Sequence, residues 1–191
     1  MNDILDAAYA SFARHGVRRT TMADIADEAG LSRAAVYQYV RNKEDAYRRV
    51  AARMFDRALA LARGHAAGTA PLGVRLAAAL TTKLDLTLQI WHDSPHASEL
   101  LGAGARLTGD LEAGYTAAMH AVLTAAIHEA HPDADADELA DLLLAFTRGL
   151  EADPADPTDP RGQHHLLARG VALLVADHGG VAAPTAPKEE S

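Results

Sequence analysis

Apolar residues along this chain recur every three or four positions, and almost no stretch alternates apolar and polar residues. That spacing places apolar side chains on one face of an α-helix, whereas a half-buried strand requires alternation. Alanine is very frequent and aromatic residues make up only 5% of the chain, a composition that also favours helix. The pattern therefore predicts an all-α protein.

Glycine and proline mark the breaks between the predicted helices. The stretch EADPADPTDPRG at 151–162 holds three Asp-Pro pairs, which are incompatible with a helix interior. Glycines at 102, 104 and 109 predict a loose joint, and the polar, Pro-rich tail 179–191 is expected to be disordered. The longer helices are predicted near 3–15, 43–63, 72–93, 96–103, 107–131, 135–150 and 163–178.

Two shorter helices are predicted in residues 21–43. Thr21 and Asp24 have the spacing of a capping box, which starts a helix. Gly30 is suited to the positive φ that ends a helix, and Ser32 is suited to cap the next one. A turn of about three residues between two helices is typical of a helix-turn-helix, whose second helix enters the major groove of DNA.

The second of these helices is predicted to be about eight residues long. Leu31 and Val36 are expected to fill the junction between the two helices. For Tyr37 and Tyr39, we expect one hydroxyl on a phosphate and the other ring partly in the core.

These residues carry a resemblance to a known family. The segments ILDAAYASFARHG and TTMADIADEAGLSRAAVYQYVRNKEDAYRRV resemble the DNA-binding domain of the TetR family of bacterial transcriptional regulators. The resemblance covers roughly the first third of the chain. It implies a three-helix head, a long fourth helix that connects it, and a larger effector-binding and dimerisation domain. The corresponding ranges are 1–45, 46–178 and the tail 179–191.

The resemblance also implies which residues contact DNA. Arg33 is suited to pair with guanine O6 and N7, and Gln38 is suited to read adenine. Lys43 lies at a helix N-terminus, where backbone N–H groups already favour a phosphate. For each of these the alternative is an exposed side chain without a DNA contact. The predicted DNA-binding residues are Thr21, Ser32, Arg33, Ala35, Tyr37, Gln38, Tyr39 and Lys43.

The charge distribution agrees with a nucleic-acid partner for the amino-terminal part. The whole chain carries a net charge of −8, which by itself argues against DNA binding. Residues 1–63 hold 11 Lys and Arg against 8 Asp and Glu, whereas residues 64–191 hold 7 against 18. A basic head attracts phosphate, and charge on a distant acidic body is screened beyond about 10 Å.

The body offers apolar stripes on several helices that have two alternative uses. If the stripes converge incompletely they line an effector cavity, and if they converge fully they form a filled core. The predicted pocket residues are Leu88, Trp91, His92, Tyr115, Met119 and Phe146, with His120 as a further polar candidate. By the resemblance, the last two helices pair with a second copy of the chain, and the predicted dimer residues are Leu139, Leu143, Leu166, Leu167, Val171 and Leu174.

Several other kinds of chemistry find no support in the sequence. There is no cysteine, and the ten histidines lack a metal-binding spacing such as HExxH, so we predict no metal, no cofactor and no catalytic residue. The start MNDILDAA does not have the pattern of a secretory signal. No apolar run reaches the ~18 residues of a membrane span. We therefore expect a soluble, cytoplasmic protein.

The function that follows is a homodimeric, ligand-responsive repressor that binds a palindromic operator. Repression is adopted because it is the usual behaviour of the family that the chain resembles. Two alternatives remain open at this point: an enzyme that uses histidines in a helical cavity, and a protein that coats DNA without sequence preference.

Overall fold

The computed structural model describes residues 2–152 and 160–180, without the side chains at 2, 103–105, 152, 179 and 180. Within these residues there are nine helices and no strand, which confirms the all-α prediction. Of the predicted break at 151–162, residues 153–159 lie outside the described residues, and the residues on either side of them belong to helices. Of the predicted tail, residues 179 and 180 belong to the last helix and the rest lies outside the described residues. The helices are α1 (Asn2–Arg19), α2 (Met22–Glu28), α3 (Arg33–Tyr37), α4 (Lys43–Ala66), α5 (Leu72–Asp93), α6 (Ala97–Leu107), α7 (Gly109–Ala130), α8 (Ala136–Ala152) and α9 (Pro160–Gly180).

Side-chain caps define the start of α2, α3 and α4. The Thr21 hydroxyl accepts from the backbone N–H of Asp24, while the Asp24 carboxylate accepts from the N–H of Thr21, which confirms the capping box. Ser32 accepts from the N–H of Ala35, and Asn42 accepts in the same way at α4. Each cap satisfies an amide that has no partner inside the helix. These boundaries are therefore fixed by neighbouring residues in the sequence.

The turn after α2 follows the Schellman pattern. Gly30 has φ +64°, as predicted, and its N–H donates to the carbonyl of Asp27 while the N–H of Leu31 donates to the carbonyl of Ala26. This geometry turns the Leu31 side chain outward, where it is 42% exposed, so the prediction that Leu31 fills the junction is wrong. Val36 is fully buried and does fill it.

Helix α3 is shorter than predicted, with five residues instead of about eight. Tyr37 is 46% exposed and Tyr39 is 44% exposed, so neither ring belongs to the core. The chain leaves α3 at Gln38, and the next inward-facing side chain is that of Val40. Both tyrosines are therefore presented on the surface.

Helix α1 is interrupted at Gly16, where φ is 77° and ψ is 162°. This backbone region is essentially restricted to glycine. The interruption agrees with the predicted end of the first helix at this residue. The buried Thr20 hydroxyl then donates to the carbonyl of Gly16 at 2.7 Å, which fixes the turn that leads into α2.

The long helix α4 contributes to two separate cores. Its first turns place Ala46 and Val50 in the core of the head, with residues of α1, α2 and α3. Its second half places Ala58 and Ala62 in the core of the body, with α5, α7, α8 and α9. The predicted boundary after residue 45 thus falls at the start of α4, whose next two turns still belong to the head core. Leu61, predicted on the apolar stripe, is exposed.

The body helices agree with the predicted segments, and the differences lie at their ends and faces. Gly102 lies inside α6, and Leu107 ends that helix although it was predicted to open the next. Leu142 and Leu166 were placed on apolar faces but are exposed. None of the helices in the described ranges has the length and apolar character required to cross a bilayer.

Candidate nucleic-acid interface and internal cavity

The outer face of the head presents α3 and the residues on either side of it. Arg33 is the first residue of α3 and is exposed, as are Tyr37, Gln38 and Tyr39. Ala35 is partly exposed. Buried Val36 anchors the opposite side of the helix in the head core. A short helix held from behind in this way leaves its arginine and tyrosine side chains available to a partner.

Basic side chains surround this face. Arg18, Arg19 and Arg41 are exposed, and the Arg18 side chain remains 84% exposed although its guanidinium lies 3.7 Å from a carboxylate oxygen of Glu99. Lys43 opens α4, and its ammonium donates to the carbonyl of Arg18 at 3.0 Å. That bond joins the end of α1 to the start of α4. The resulting surface combines hydrogen-bond donors with positive charge, which suits an anionic partner such as a phosphate backbone.

A cavity of about 420 Å³ lies between the head and the body. Its wall near the head is aromatic and apolar, and includes Phe12 and Tyr47. At its other end, the Lys83 ammonium lies 2.6 and 2.7 Å from the carboxylate oxygens of Glu151. Both of these side chains are only 13% exposed. Burial raises the pKa of Glu151, and the adjacent Lys83 opposes this shift.

The sequence predicted only part of this cavity. Trp91 and Tyr115 line it. Leu88 and Met119 are instead packed inside the body core, and His92 is exposed at the end of α5. Phe146 packs against Gly170 of α9, where a Cβ atom would overlap its ring. A helical repeat identifies the buried face of a helix, but it does not distinguish positions that fill the core from those beside a gap.

Most of the polar residues that line the cavity were not predicted from the sequence. Lys83 lies close to the apolar stripe of α5, and Glu151 lies 68 positions later, beside the Asp-Pro stretch. A lysine close to the apolar stripe of a helix was a usable signal, because such a residue is rarely buried without a partner. The spacing of residues in the sequence did not indicate that Glu151 is the partner of Lys83.

The head matches a known protein-family model. Residues 4–50 match the family model for bacterial regulatory proteins of the tetR family. The amino-terminal segment of the chain is therefore similar to the DNA-binding domain of TetR-family regulators. The matched range ends at Val50, the point at which α4 leaves the head core.

Curated relatives resemble the chain mainly in this region. The chain is 48% identical over 42 residues to the HTH-type transcriptional regulator TtgR of Pseudomonas putida, a match that covers 22% of this chain and 20% of that protein. It is 34% identical over 119 residues to the HTH-type transcriptional regulator RutR of Escherichia coli, covering 58% and 54%. The matches thus span between a fifth and about half of the relatives' own length.

Solved structures resemble the chain over nearly its whole length. SmeT, the repressor of the Stenotrophomonas maltophilia multidrug efflux pump SmeDEF, superposes with a TM-score of 0.65 at 21% identity and covers 100% of this chain and 96% of that one. FadR from Bacillus subtilis in complex with stearoyl-CoA superposes with a TM-score of 0.68 at 17% identity, covering 92% and 97%. At these identities the likeness establishes the fold.

Polar contacts connect the cavity wall to the head. Tyr47 lines the cavity, and its hydroxyl donates to the carbonyl of Leu100 on α6 at 2.7 Å. Tyr9 also lines the cavity, and its hydroxyl donates to Asp93 at 2.8 Å. Burial raises the pKa of Tyr47 to about 12 and that of Tyr9 further, so both phenols stay protonated at neutral pH.

Further contacts attach α6 to the head beside these tyrosines. The Glu99 carboxylate accepts from the backbone N–H of Arg18 at 2.8 Å, across the break at Gly16. The buried Ser94 hydroxyl donates to the carbonyl of Ala13 at 2.7 Å. On the other side, Arg48 of α4 donates to the carbonyl of Leu107 and pairs with Asp110 at 2.7 Å. Through these contacts, a shift of α6 would act directly on α1 and α4.

The predicted dimer residues require a correction. Four of them are buried inside their own chain and offer no surface to a second copy: Leu139, Leu143, Leu167 and Val171. The leucines that α8 and α9 do expose are Leu142, Leu166 and Leu173, and Leu173 is 66% exposed. Except for Leu166 and the partly buried Leu174, the predicted dimer residues lie on the faces of α8 and α9 that pack inward. Leucines spaced three and four residues apart do not reveal which face of a helix packs into its own chain.

The histidines lie away from the cavity. No histidine is among the described residues that line it. His120 lies on the outer side of α7, with its Nε2 atom 3.4 Å from a carboxylate oxygen of Asp141. His164 lies 2.7 Å from Asp85 at the surface. The enzyme alternative depended on histidines as acid–base groups in a helical cavity, and the described residues that line this cavity include none.

Proposed function

We propose that this protein is a DNA-binding transcriptional regulator, and specifically a repressor that acts in the cytoplasm as a homodimer on a palindromic operator. The observation that carries the proposal is the exposed face of α3, with Arg33, Tyr37 and Tyr39 outward on a helix anchored by Val36. A capped helix-turn-helix with this exposure is built to enter a major groove. The TetR-family match over residues 4–50 supports the same assignment.

Each residue on this face has a distinct proposed role. Arg33 reads guanine through O6 and N7, Gln38 reads adenine, and Ala35 contacts a thymine methyl group. The hydroxyls of Tyr37 and Tyr39, together with Lys43, bind phosphates and set the register. Two capping residues, Thr21 and Ser32, lie at the edges of the same surface and complete the contact set.

The exposed leucines of the last two helices support a dimer. Helices α8 and α9 pack against each other, and each presents large apolar side chains to solvent at Leu142, Leu166 and Leu173. Burying these leucines against a second copy removes them from water. Two-fold symmetry then places the two α3 helices about one DNA turn, ~34 Å, or a related distance apart, which selects an inverted repeat.

A ligand in the cavity is proposed to control the spacing of the heads. The structural neighbours include a FadR complex with stearoyl-CoA and a SmeT complex with triclosan. A ligand that favours a conformation with misplaced heads lowers operator affinity by its differential affinity for the two conformations. A shift from 1:99 to 99:1 requires about 5.5 kcal/mol of that preference.

Selection of duplexes from a random pool, at stated salt, tests DNA recognition. We expect an enriched inverted repeat that the protein prefers over random duplex by at least ~10³-fold. Equal binding to selected and random duplex would instead support a DNA-coating protein. An enzyme without a DNA-binding role would enrich no sequence.

The dimer is tested by sedimentation equilibrium on a variant with Leu166→Glu and Leu173→Glu. We expect this variant to be monomeric and the unmodified protein dimeric. Leu61→Glu on α4 is the matched control, because it adds a charge at a leucine that is also exposed in the chain. If the double variant remains dimeric while Leu61→Glu is monomeric, the interface lies at another surface.

A further inference from the structure

Two polar atoms in the wall of the cavity lack hydrogen-bond partners. The indole Nε1 of Trp91 and the hydroxyl of Tyr115 are both buried, and neither has a partner among the residues that the structure describes. Thr82 lies beside the Tyr115 hydroxyl, but no hydrogen bond of normal geometry joins them. An indole nitrogen only donates, and a phenol also donates readily. Buried donors without partners are costly, so a bound acceptor is favoured here.

The position of the Tyr115 hydroxyl is fixed by packing. Its ring stacks on Phe55 with centroids 4.9 Å apart and planes at 15°, and its side chain is more than nine-tenths buried. Burial, with the nearby Glu151 carboxylate, raises the pKa of Tyr115 well above its usual range. The phenol is therefore protonated at neutral pH, and the cavity presents a donor at a defined place.

The charged groups that line the cavity are equal in number of each sign. Lys83 is bound by both carboxylate oxygens of Glu151. Arg148 and Glu112 also line the cavity, so it holds two groups of each sign. An ionic ligand would lose hydration on entering this largely apolar cavity without meeting an excess of opposite charge, which is unfavourable.

We propose that the cavity binds a neutral, largely apolar molecule that carries a hydrogen-bond acceptor, such as a carbonyl or ether oxygen, which bonds to Trp91 and Tyr115. This assignment rests on the proposed function, because it names the class of effector that the regulator senses. The aromatic wall near the head contacts the apolar part of the ligand. The two donors determine its orientation.

A set of four phenyl compounds separates the relevant properties. They are 4-phenylbutan-2-one, which is neutral with an acceptor; butylbenzene, which has none; and the ions 3-phenylpropanoate and 3-phenylpropylammonium. Trp91 is the only tryptophan in the chain and lines the cavity, so its fluorescence reports binding directly. We expect the ketone to bind about two- to tenfold more tightly than butylbenzene for each hydrogen bond made. Both ions should bind at least tenfold more weakly than the ketone.

Tyr115→Phe gives the matched comparison. The variant should lose the advantage of the ketone by about two- to tenfold while it binds butylbenzene as the unmodified protein does. Unchanged butylbenzene binding shows that the variant is folded and that its cavity is intact. The proposal is overturned if butylbenzene binds as tightly as the ketone, if either ion binds most tightly, or if no probe alters Trp91 fluorescence up to its solubility.

Operator binding by the full chain separates this proposal from the proposed function. If the ketone binds as expected but leaves operator affinity unchanged, the ligand class stands and regulation through this cavity fails. If operator binding is specific while the ligand order above is violated, DNA recognition stands and the ligand class fails.

Discussion

The head and the body of this protein are stabilised in different ways. In the head, a capping residue directly precedes each of the helices α2, α3 and α4, and its side chain accepts from a backbone N–H three residues later. Phe12, Ile25 and Val36 are fully buried in the head core. The body instead borders a cavity, shared with the head, to which it contributes a buried ion pair and two donors without partners among the described residues. A surface that recognises DNA requires side chains in a fixed geometry. A site that responds to a ligand requires polar groups that lack hydrogen-bond partners until the ligand binds.

The largest expected effect concerns the ion pair of the body. Lys83→Met leaves the Glu151 carboxylate buried without its partner and should lower the free energy of unfolding by about 3–5 kcal/mol. Urea denaturation monitored by helical circular dichroism measures it. The double variant with Glu151→Met should recover most of the loss, because no charge then remains buried. A single variant as stable as the unmodified protein would show that the pair is unimportant.

The pH dependence of the same variant has a definite sign. Burial raises the pKa of Glu151 in the folded protein, and Lys83 counteracts this. Without Lys83, the folded state holds the proton of Glu151 more tightly than the unfolded state does. Stability of Lys83→Met should therefore be highest below the ordinary glutamate pKa of 4.5 and fall as pH rises above it. A loss of stability that does not depend on pH would contradict this cause.

A smaller effect is expected where the body meets the head. Gly16→Ala forces a non-glycine residue into φ 77°, and its Cβ would overlap the Glu99 carboxylate that accepts from Arg18. We expect a loss of about 1–3 kcal/mol in chemical denaturation. Gly114→Ala in α7 is the control, since that position is open and helical and should gain about 0.5–1 kcal/mol. Equal effects at the two sites would contradict the strained turn.

Local capping in the head should contribute less. Thr21→Ala removes the hydroxyl that accepts from Asp24 and should cost about 1 kcal/mol of unfolding free energy. Thr21→Ser retains the hydroxyl and should retain most of the stability. If serine and alanine are equally destabilising, the methyl group of Thr21 rather than its cap would be responsible.

The smallest effect is expected at the surface pair between α4 and α7. The Arg48 guanidinium lowers the pKa of Asp110 to about 2, and Asp110 is well exposed, so the contribution to stability is small. This contribution is present above the ordinary aspartate pKa of 3.8 and is lost as pH falls towards 2. An NMR titration of the Asp110 carboxyl measures the shift directly. An unshifted pKa would mean that the pair does not persist in solution.

The sequence allowed most of the head to be predicted, because its signals are local. The Thr21–Asp24 box, positive φ at Gly30 and the caps at Ser32 and Asn42 each depend on residues within three or four positions. The exposure of Leu31 was not predicted, because it follows from the direction in which the Schellman turn leaves α2. Local chemistry fixed where the helices begin but not where every side chain points.

The body was predictable only as a set of helices. Helical spacing identified the stripes that hold Leu139 and Leu167, but whether such a stripe faces the chain's own core or a second copy depends on where five helices converge. The cavity depends on the same convergence, and its Lys83–Glu151 pair joins positions far apart in the sequence. The polar contacts that join α6 to the head are likewise long-range.

If the Arg33 face of α3 reads DNA sequence, Arg33→Ala should remove recognition of one base position. Affinity for the selected duplex and for random duplex is measured at a series of salt concentrations. Lys43→Ala and Arg57→Ala are comparisons that also remove one positive charge each, and Arg57 is exposed on α4. Loss of Arg33 should weaken binding to the selected duplex by about 1–3 kcal/mol and relax specificity at one base position. Loss of Lys43 should weaken both duplexes and reduce the salt slope by about one, and Arg57→Ala should do neither. Unchanged specificity in Arg33→Ala would contradict the account.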